Sequence, residues 1–453
     1  MRKLEKNNAL GTEPIGRLIV KLSLPTVAAQ LVNLLYNIVD RIYVGRIPEV
    51  GSLALAGLGV TFPIIMLVSA FAMLAGMGAP RASIAMGAGN YEKAEKYLGN
   101  STLLLIIFSI ILSVVFFITK DPILMIFGAS ENTLPYASDY ISVYLIGTIF
   151  VQLTLGLNMF ITNQGFSKTS MLTVCLGAVL NIVLDPLFIF VFDMGVKGAA
   201  LATILSQFAS CVWVLLFLTG KKTILKIKLR NLIPDISMIG SILALGVSPF
   251  VMQATECIIQ LTFNKGMITY GNDMYVAVMS VLFSIMQLVW MPLSGFSQGV
   301  QPIIGYNYGA GRIDRVKRAF KLQFTASLIF SLCTVALVEI FPGFFLGLFS
   351  NDAELISTGS NALRLFMAGM CLMGAQSACQ QTFIALGEAK TSMFLACLRK
   401  IILLFPLAII IPMITDLGVW GLYLAEPISD VAAVCVTVAM FAVRSRTLLK
   451  AKN

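Results

Sequence analysis

Long apolar runs separated by short polar intervals fill this chain from end to end. Twelve runs, at about 18–45, 52–80, 97–119, 134–163, 169–192, 197–219, 238–264, 274–301, 319–346, 356–385, 391–415 and 419–443, each offer enough apolar residues to cross a bilayer as a helix. None alternates between apolar and polar positions as a barrel strand does. The pattern predicts an all-α polytopic membrane protein of twelve transmembrane helices.

The chain also repeats itself. Pro80 precedes Gly87-Ala88-Gly89 and NYEKAEK, and Pro302 precedes Gly309-Ala310-Gly311 and RIDRVKR, 222 residues further on. The same offset carries Lys168-Thr169-Ser170-Met171 onto Lys390-Thr391-Ser392-Met393 and Gly165 onto Gly387, and one residue more carries Gly195-Val196 onto Gly418-Val419. A duplication of this length predicts two six-helix lobes, 1–219 and 238–453, joined by the basic stretch GKKTILKIKLRNLIPDIS at 220–237. Six spans per lobe insert both copies with the same orientation. The pseudo-two-fold axis then runs along the membrane normal, and a cavity is expected between the lobes.

Composition agrees with the membrane reading. Hydrophobic residues make up 58% of the 453 and charged residues 12%, about half the charge of an ordinary globular chain. The net charge of +10 is sorted by side: all but eight of the 32 Lys and Arg (Arg41, Arg46, Lys120, Lys197, Lys265, Arg364 and, within span 11, Arg399 and Lys400) fall at the termini, the even-to-odd loops or the helix starts after them. The positive-inside rule therefore puts both termini in the cytoplasm, and the excess does not call for nucleic acid. Residues 1–17 are polar and the apolar run after them is too long for a signal-peptide core, so no cleaved leader is expected. The eight cysteines all lie inside apolar runs without CxxC spacing and are expected to be small buried hydrophobes. Histidine is absent, which leaves proton chemistry near neutral pH to buried carboxylates. The Gly-Ala-Gly loops lack GxGxxG or Walker spacing, so neither reads as a nucleotide site. No cofactor is expected.

Each ionisable residue inside a span costs about 2.5–3.5 kcal/mol on insertion scales and needs a reason to be there. Asp40 on span 1, Asp185 on span 5 and Thr203 on span 6 lie at comparable distances from the outer ends of their helices, and Asn181 precedes Asp185 by one turn. Pro186 leaves the Ile182 carbonyl without its helical donor. Such an all-oxygen set suits H⁺ or Na⁺. The competing role, Asp40 paired with Arg41 and Asp185 capping a broken helix, suffers from the roughly 100° between adjacent helical residues. In the second half, Glu256 sits near mid-membrane beside Gln253 and Gln260. Arg399 and Lys400 lie on span 11, and Glu426 and Asp430, four apart on span 12, can pair with Arg399. These are candidates for a substrate or proton role and equally for a structural bridge. Tyr36, Phe150, Gln287 and Met291 are candidates for lining a cavity.

Three stretches carry a resemblance over essentially the whole chain: LSLPTVAAQLVNLLYNIVDRIYVG at 22–45, NIVLDPLFIF at 181–190, and the paired Gly-Ala-Gly loops. Together they resemble the multidrug and toxic compound extrusion (MATE) transporters, especially the bacterial branch with the MepA-type pumps. The resemblance implies two lobes around a central cleft and exchange of H⁺ or Na⁺ for small organic, often cationic, compounds; alternating access by rocking of the two lobes is the mechanism expected. It also implies a multi-pass protein of the bacterial cytoplasmic membrane, expected to be monomeric and not an enzyme. The family's ion site maps onto Asp40, Asn181, Asp185 and Thr203, and an acid that some relatives use on helix 7 maps onto Glu256. The acid that some relatives carry on helix 10 has no counterpart here, where Met367, Met370 and Met373 stand instead.

Two other functions compete. A flippase for a lipid-linked precursor would want a more cationic cavity than Arg399 and Lys400 supply. A membrane aspartyl hydrolase built on Asp40 and Asp185 would lack a GxGD motif and leave Asn181 and Thr203 without work. The repeat itself points to asymmetric chemistry. At its offset Asp185 falls on Leu407 and Asn181 on Leu403, while with small gaps Asp40 falls on Asn264 and Thr203 on Glu426.

Overall fold

The computed structural model describes residues 9–350 and 352–450; the basic residues Arg2, Lys3 and Lys6 lie outside the described part. Among the described residues every regular element is helical. The spans are α1 Ile15–Gly45, α2 Gly51–Gly87, α3 Tyr91–Ile126, α4 Leu134–Ile146 with Thr148–Asn163, α5 Ser167–Val191 and α6 Gly195–Thr219 in the first half. In the second half they are α7 Ile236–Tyr270, α8 Asp273–Gly309, α9 Ile313–Ile340, α10 Ala353–Ala385, α11 Ala389–Ile414 and α12 Val419–Leu448. Eleven are long and apolar enough to cross a membrane unaided, and α4 makes the twelfth as a pair bent by 60° at Gly147.

The spans outrun several of the sequence boundaries because polar helix starts continue past the apolar run; α3, for example, begins at Tyr91, behind an Asn90 side chain that accepts from Lys93 N at 3.0 Å. Span 9 is the exception. It stops at Ile340, and the following Pro342 starts a separate short helix, Pro342–Gly347, because proline suits a first turn and disrupts an interior one. Apolar side chains such as Ile118, Ile126, Leu216 and Met413 stand exposed around the outside, as a lipid-facing surface requires. The cysteines need a correction. Cys211 and Cys379 are buried, but Cys333 and Cys435 are exposed, because a small apolar residue is as stable against lipid as in a core.

The duplication has a backbone counterpart. Three pairs of glycines have positive φ at the repeat's own spacing: Gly89 (78°) with Gly311 (70°), Gly165 (90°) with Gly387 (76°), and Gly195 (53°) with Gly418 (54°). Each closes a helix or opens the next, where only glycine adopts this conformation without strain.

The halves meet through α1 against α8 and α2 against α7. Recorded contacts between them gather at one end, the end with the Gly-Ala-Gly loops. Thr26 Oγ1 donates to Gly295 O at 2.6 Å and Ser83 Oγ to Pro302 O at 3.3 Å. Phe71 and Phe250 meet edge-on, with ring centres 5.0 Å apart. Glycine makes this approach possible: a Cβ on Gly87 would lie 1.9 Å from Tyr306 O, and one on Gly309 would lie 1.9 Å from Ile84 O. Those two contacts are images of each other under the repeat. Of the side-chain hydrogen bonds between the halves, Gln30–Gln298 at 3.4 Å and Gln253–Met66 at 3.3 Å lie furthest along α1 and α7 toward the other end.

The connecting stretch after α6 is held in place. Gln164 Oε1 accepts from Thr223 Oγ1, Ile224 N and Leu225 N at 2.8–2.9 Å. Glu95 pairs with Lys228, and Leu225 is fully buried.

Candidate functional site

In the first half, α5 packs along α1 and beside α6, which brings the separated polar residues together. Asn181 Nδ2 donates to Asp185 Oδ1 at 3.2 Å and to Thr203 Oγ1 at 3.4 Å. The Asp40 carboxyl lies within hydrogen-bonding reach of the Asp185 carboxyl. Asp185 and Asn181 are buried and Asp40 nearly so. No base makes an ion pair with Asp40 among the described residues: the neighbouring Arg41 instead stands 5.7 Å over the Phe62 ring. The helix continues past Pro186 as a π-helical turn, Leu187–Val191, a local adjustment that accommodates the missing proline N–H.

Three oxygens here, Asp40 Oδ1, Asp185 Oδ2 and Asn181 Oδ1, are buried without a hydrogen-bond donor. Each such acceptor costs about 1–3 kcal/mol if it stays unsatisfied. Two carboxylates facing each other add repulsion. A proton or a monovalent cation would relieve both, and Na⁺ favours oxygen ligands. Nowhere among the described residues do three His, Cys, Asp or Glu converge as a transition-metal site would need.

Aromatic hydroxyls border the cluster. Tyr36, one turn before Asp40, has both carboxylates as electrostatic neighbours. Tyr140 of α4 lies beside Thr203 and stacks on Tyr144, ring centres 6.3 Å apart. Tyr140 was not among the sequence candidates, although Tyr136, Tyr140 and Tyr144 form a hydroxyl-bearing stripe at helical spacing that could have flagged it. The chain bends at Gly147, where a Cβ would lie 2.3 Å from the Ile204 side chain, so the absence of a side chain there lets α4 cross close to α6 next to Thr203. Phe150 is placed differently from a cleft residue. It packs edge-on with Phe208 at 5.0 Å, among the core side chains of the first half. Gln287 and Met291 are half-buried on α8.

The second-half candidates form a separate network. Arg399 Nε donates to Asp430 Oδ1 at 2.8 Å and Nη2 to Glu426 Oε1 at 3.2 Å, with the guanidinium 5.9 Å over the Trp290 ring. Lys400 Nζ pairs with Glu256 Oε2 at 2.9 Å, a partner that sequence spacing did not supply. Both bases sit in a π-helical stretch, Leu398–Leu404, and both are buried. Gln253 turns to Met66 of α2 instead. Gln260, two turns beyond, is half-buried.

The MatE family model matches residues 25–187 and again 249–410, one match in each half. The chain belongs to the MATE family. It is 27% identical over 426 residues, 93% of both chains, to the multidrug export protein MepA of Staphylococcus aureus strain N315. Among solved structures it resembles an outward-facing multidrug resistance MATE transporter of the MOP superfamily, with a TM-score of 0.89, 26% identity and 98% coverage of each chain. It also resembles a Pyrococcus furiosus MOP-superfamily transporter whose binding pocket is described as of reverse polarity, suggesting a different function, with a TM-score of 0.91, 27% identity, and 98% of this chain and 99% of that one covered. A shared fold does not by itself fix the cargo, which has to be argued from side chains.

Proposed function

We propose that this MATE protein exports small organic compounds, cationic or amphipathic, in exchange for H⁺ or Na⁺ by alternating access of its two halves. The observation that carries the reading is the base-free cluster of Asp40, Asp185 and Asn181 with its three donor-less oxygens. Asp40 lies ten residues beyond Gln30 on α1, about 15 Å at helical rise, on the side of the last inter-half contacts where the halves part. An ion arriving from that side would meet the carboxylates while the opposite end is closed.

Ion binding would draw α1 and α5 together, changing how α1 presents Tyr36 to the cleft and disfavouring bound cargo. Release would be followed by rocking of the halves and reloading from the other side. One charge crossing 100 mV supplies about 2.3 kcal/mol, a gradient of roughly 40-fold. One-for-one exchange against a monovalent organic cation is electroneutral and draws only on the ion gradient.

With the basic loops inside, this reading places the protein in the bacterial cytoplasmic membrane with both termini cytoplasmic. The working lobes are 1–219 and 238–453 with 220–237 between them, and the monomer is the working unit. The flippase alternative is weakened by the carboxylates that surround Arg399 and Lys400. The test is dye efflux into inverted vesicles with proton and sodium gradients imposed separately. One gradient should drive ethidium transport, and Asp40→Asn should abolish that drive; ion-driven efflux that survives Asp40→Asn would sink the assignment.

A further inference from the structure

Five ionisable side chains from three helices share one buried neighbourhood in the second half: Glu256 of α7, Arg399 and Lys400 of α11, and Glu426 and Asp430 of α12. Three carboxylates face two bases. The remaining titratable groups nearby are Cys257 on α7, Cys371 on α10 and, beyond Cys371, Glu339 on α9, none of which adds positive charge. One negative charge is therefore uncompensated in a low-dielectric interior, where proteins do not leave charges unpaired.

The surplus can be located. Asp430 holds Arg399 Nε at 2.8 Å and Glu256 holds Lys400 at 2.9 Å, whereas Glu426 has only the longer 3.2 Å contact to an already engaged guanidinium. Glu426 Oε2 and Asp430 Oδ2 are both buried without a partner. Glu426, the carboxylate with the weaker contact to a base, closes the deficit if it carries a proton.

The pairs also differ in access. Glu426 and Asp430 are sealed, but the Glu256 side chain is 20% exposed. Glu256 lies one turn past Gln253, which touches Met66 at the last contact between the halves on α7, so it sits at the floor of the cleft. A cavity of about 10 Å³, room for about one water, is lined by Arg399, Lys400, Gln376 and Gln380, and the Oε1 atoms of both glutamines are unpartnered.

We propose that cargo binding in the second half is itself a cation-for-proton exchange, in which Lys400 is a tethered cation shuttling between Glu256 and Glu426. At rest Glu426 is a neutral acid, Lys400 neutralises Glu256, and Arg399 neutralises Asp430. A monovalent organic cation at the cleft floor takes Glu256 and displaces the Lys400 ammonium. The ammonium turns to Glu426 on its flexible stem, the Glu426 O–H bond breaks, and its proton is released to water. Charge is conserved: one cation enters, one proton leaves, and every carboxylate ends with a partner. This deepens the export reading and rests on it for the nature of the cargo; the exchange is a binding equilibrium that Asp40 and Asp185 do not enter, while ion-driven turnover still requires them.

The test uses full-length protein in weakly buffered detergent with Asp40→Asn and Asp185→Asn in place to silence the first-half site. Ethidium is titrated in while dye fluorescence reports binding and a pH indicator reports protons. About one proton per bound dye is expected by linkage, falling to none when Glu426→Gln is added. Binding without proton release, or release that survives Glu426→Gln, overturns the exchange and leaves the export reading standing; absence of dye binding to the unsubstituted protein overturns both. Thermal unfolding without dye tests the resting state separately. Glu426→Gln mimics the neutral acid and should leave Tm unchanged at neutral pH, whereas Asp430→Asn strips Arg399 of its counter-charge and should lower it. Equal losses for the two variants would refute the proton on Glu426.

Discussion

A single methyl group at the reciprocal glycine contacts should pry apart the closed end of the molecule. In Gly309→Ala the new Cβ would stand 1.9 Å from Ile84 O and 2.8 Å from its carbonyl carbon; in Gly87→Ala it would stand 1.9 Å from Tyr306 O and 2.9 Å from Ala310 N. The obstacles are backbone atoms of the opposite half, so no rotamer change relieves them. Restoring ordinary contact requires the helices to retreat by roughly 1.5 Å, stretching the Ser83–Pro302 hydrogen bond, already 3.3 Å. Overpacking of this kind costs about 1–3 kcal/mol. The cost falls only on conformations in which this end is closed, so a 2 kcal/mol penalty moves the closed-to-open ratio by roughly 30-fold. The assay is a distance distribution between spin labels at the exposed positions Lys93 and Lys317, at the starts of α3 and α9, with the native cysteines replaced. Both variants should gain a longer-distance population, by similar amounts because the contacts mirror each other. Gly59→Ala, also on α2 but with open space around its Cβ, should not. Distributions matching wild type in both variants, with the protein folded, would refute the idea that these glycines set the closed state.

Three further outcomes follow from buried polar groups. Gln164→Leu removes the acceptor of the Ile224 and Leu225 N–H groups and one of two for the Thr223 hydroxyl and should destabilise the protein by at least about 2 kcal/mol, read as a lower Tm with early proteolysis between Gly220 and Pro234. Arg399→Met leaves Glu426 and Asp430 without their base and should cost about 3–5 kcal/mol, partly recovered by adding Asp430→Asn; no recovery would count against the pairing. In the first-half site, the coupling ion should raise the Tm of the wild type by preferential binding to the folded state. Asp40→Asn should erase that dependence, and a Tm rise that persists in the variant would place the ion elsewhere.

Much of this protein follows from local pattern. Apolar runs of bilayer length specify the spans because an isolated peptide group in lipid must be bonded within its own helix, and that requirement acts one segment at a time. The repeated glycines were equally readable, since positive φ is a property of one residue and its neighbours. Asn181 and Asp185 could be put on one face because four residues make about one helical turn, and the pairing of Glu426 and Asp430 with a shared arginine follows from the same spacing. Where Pro342 would cut span 9 was legible too, had it been weighed against the apolar run that continues past it.

What tertiary structure alone decided is which faces meet. Asp40 reaches Asp185 because α1 lies along α5, across 145 residues of sequence that carry no marker of the approach. Lys400 turned to Glu256 while the adjacent Arg399 turned to α12, a division set by the π-helical stretch and the helices on either side. Tyr140 joined the first site through the bend at Gly147, and Phe150 packs on Phe208 at the edge of the first-half core. Sequence spacing fixes angles around one helix axis. It does not fix the rotation of one helix against another, which is settled by packing summed over the whole interface. For the same reason the copied helices could diverge in chemistry: the duplication preserved the axes and glycine contacts, while the buried charges were free to differ between halves.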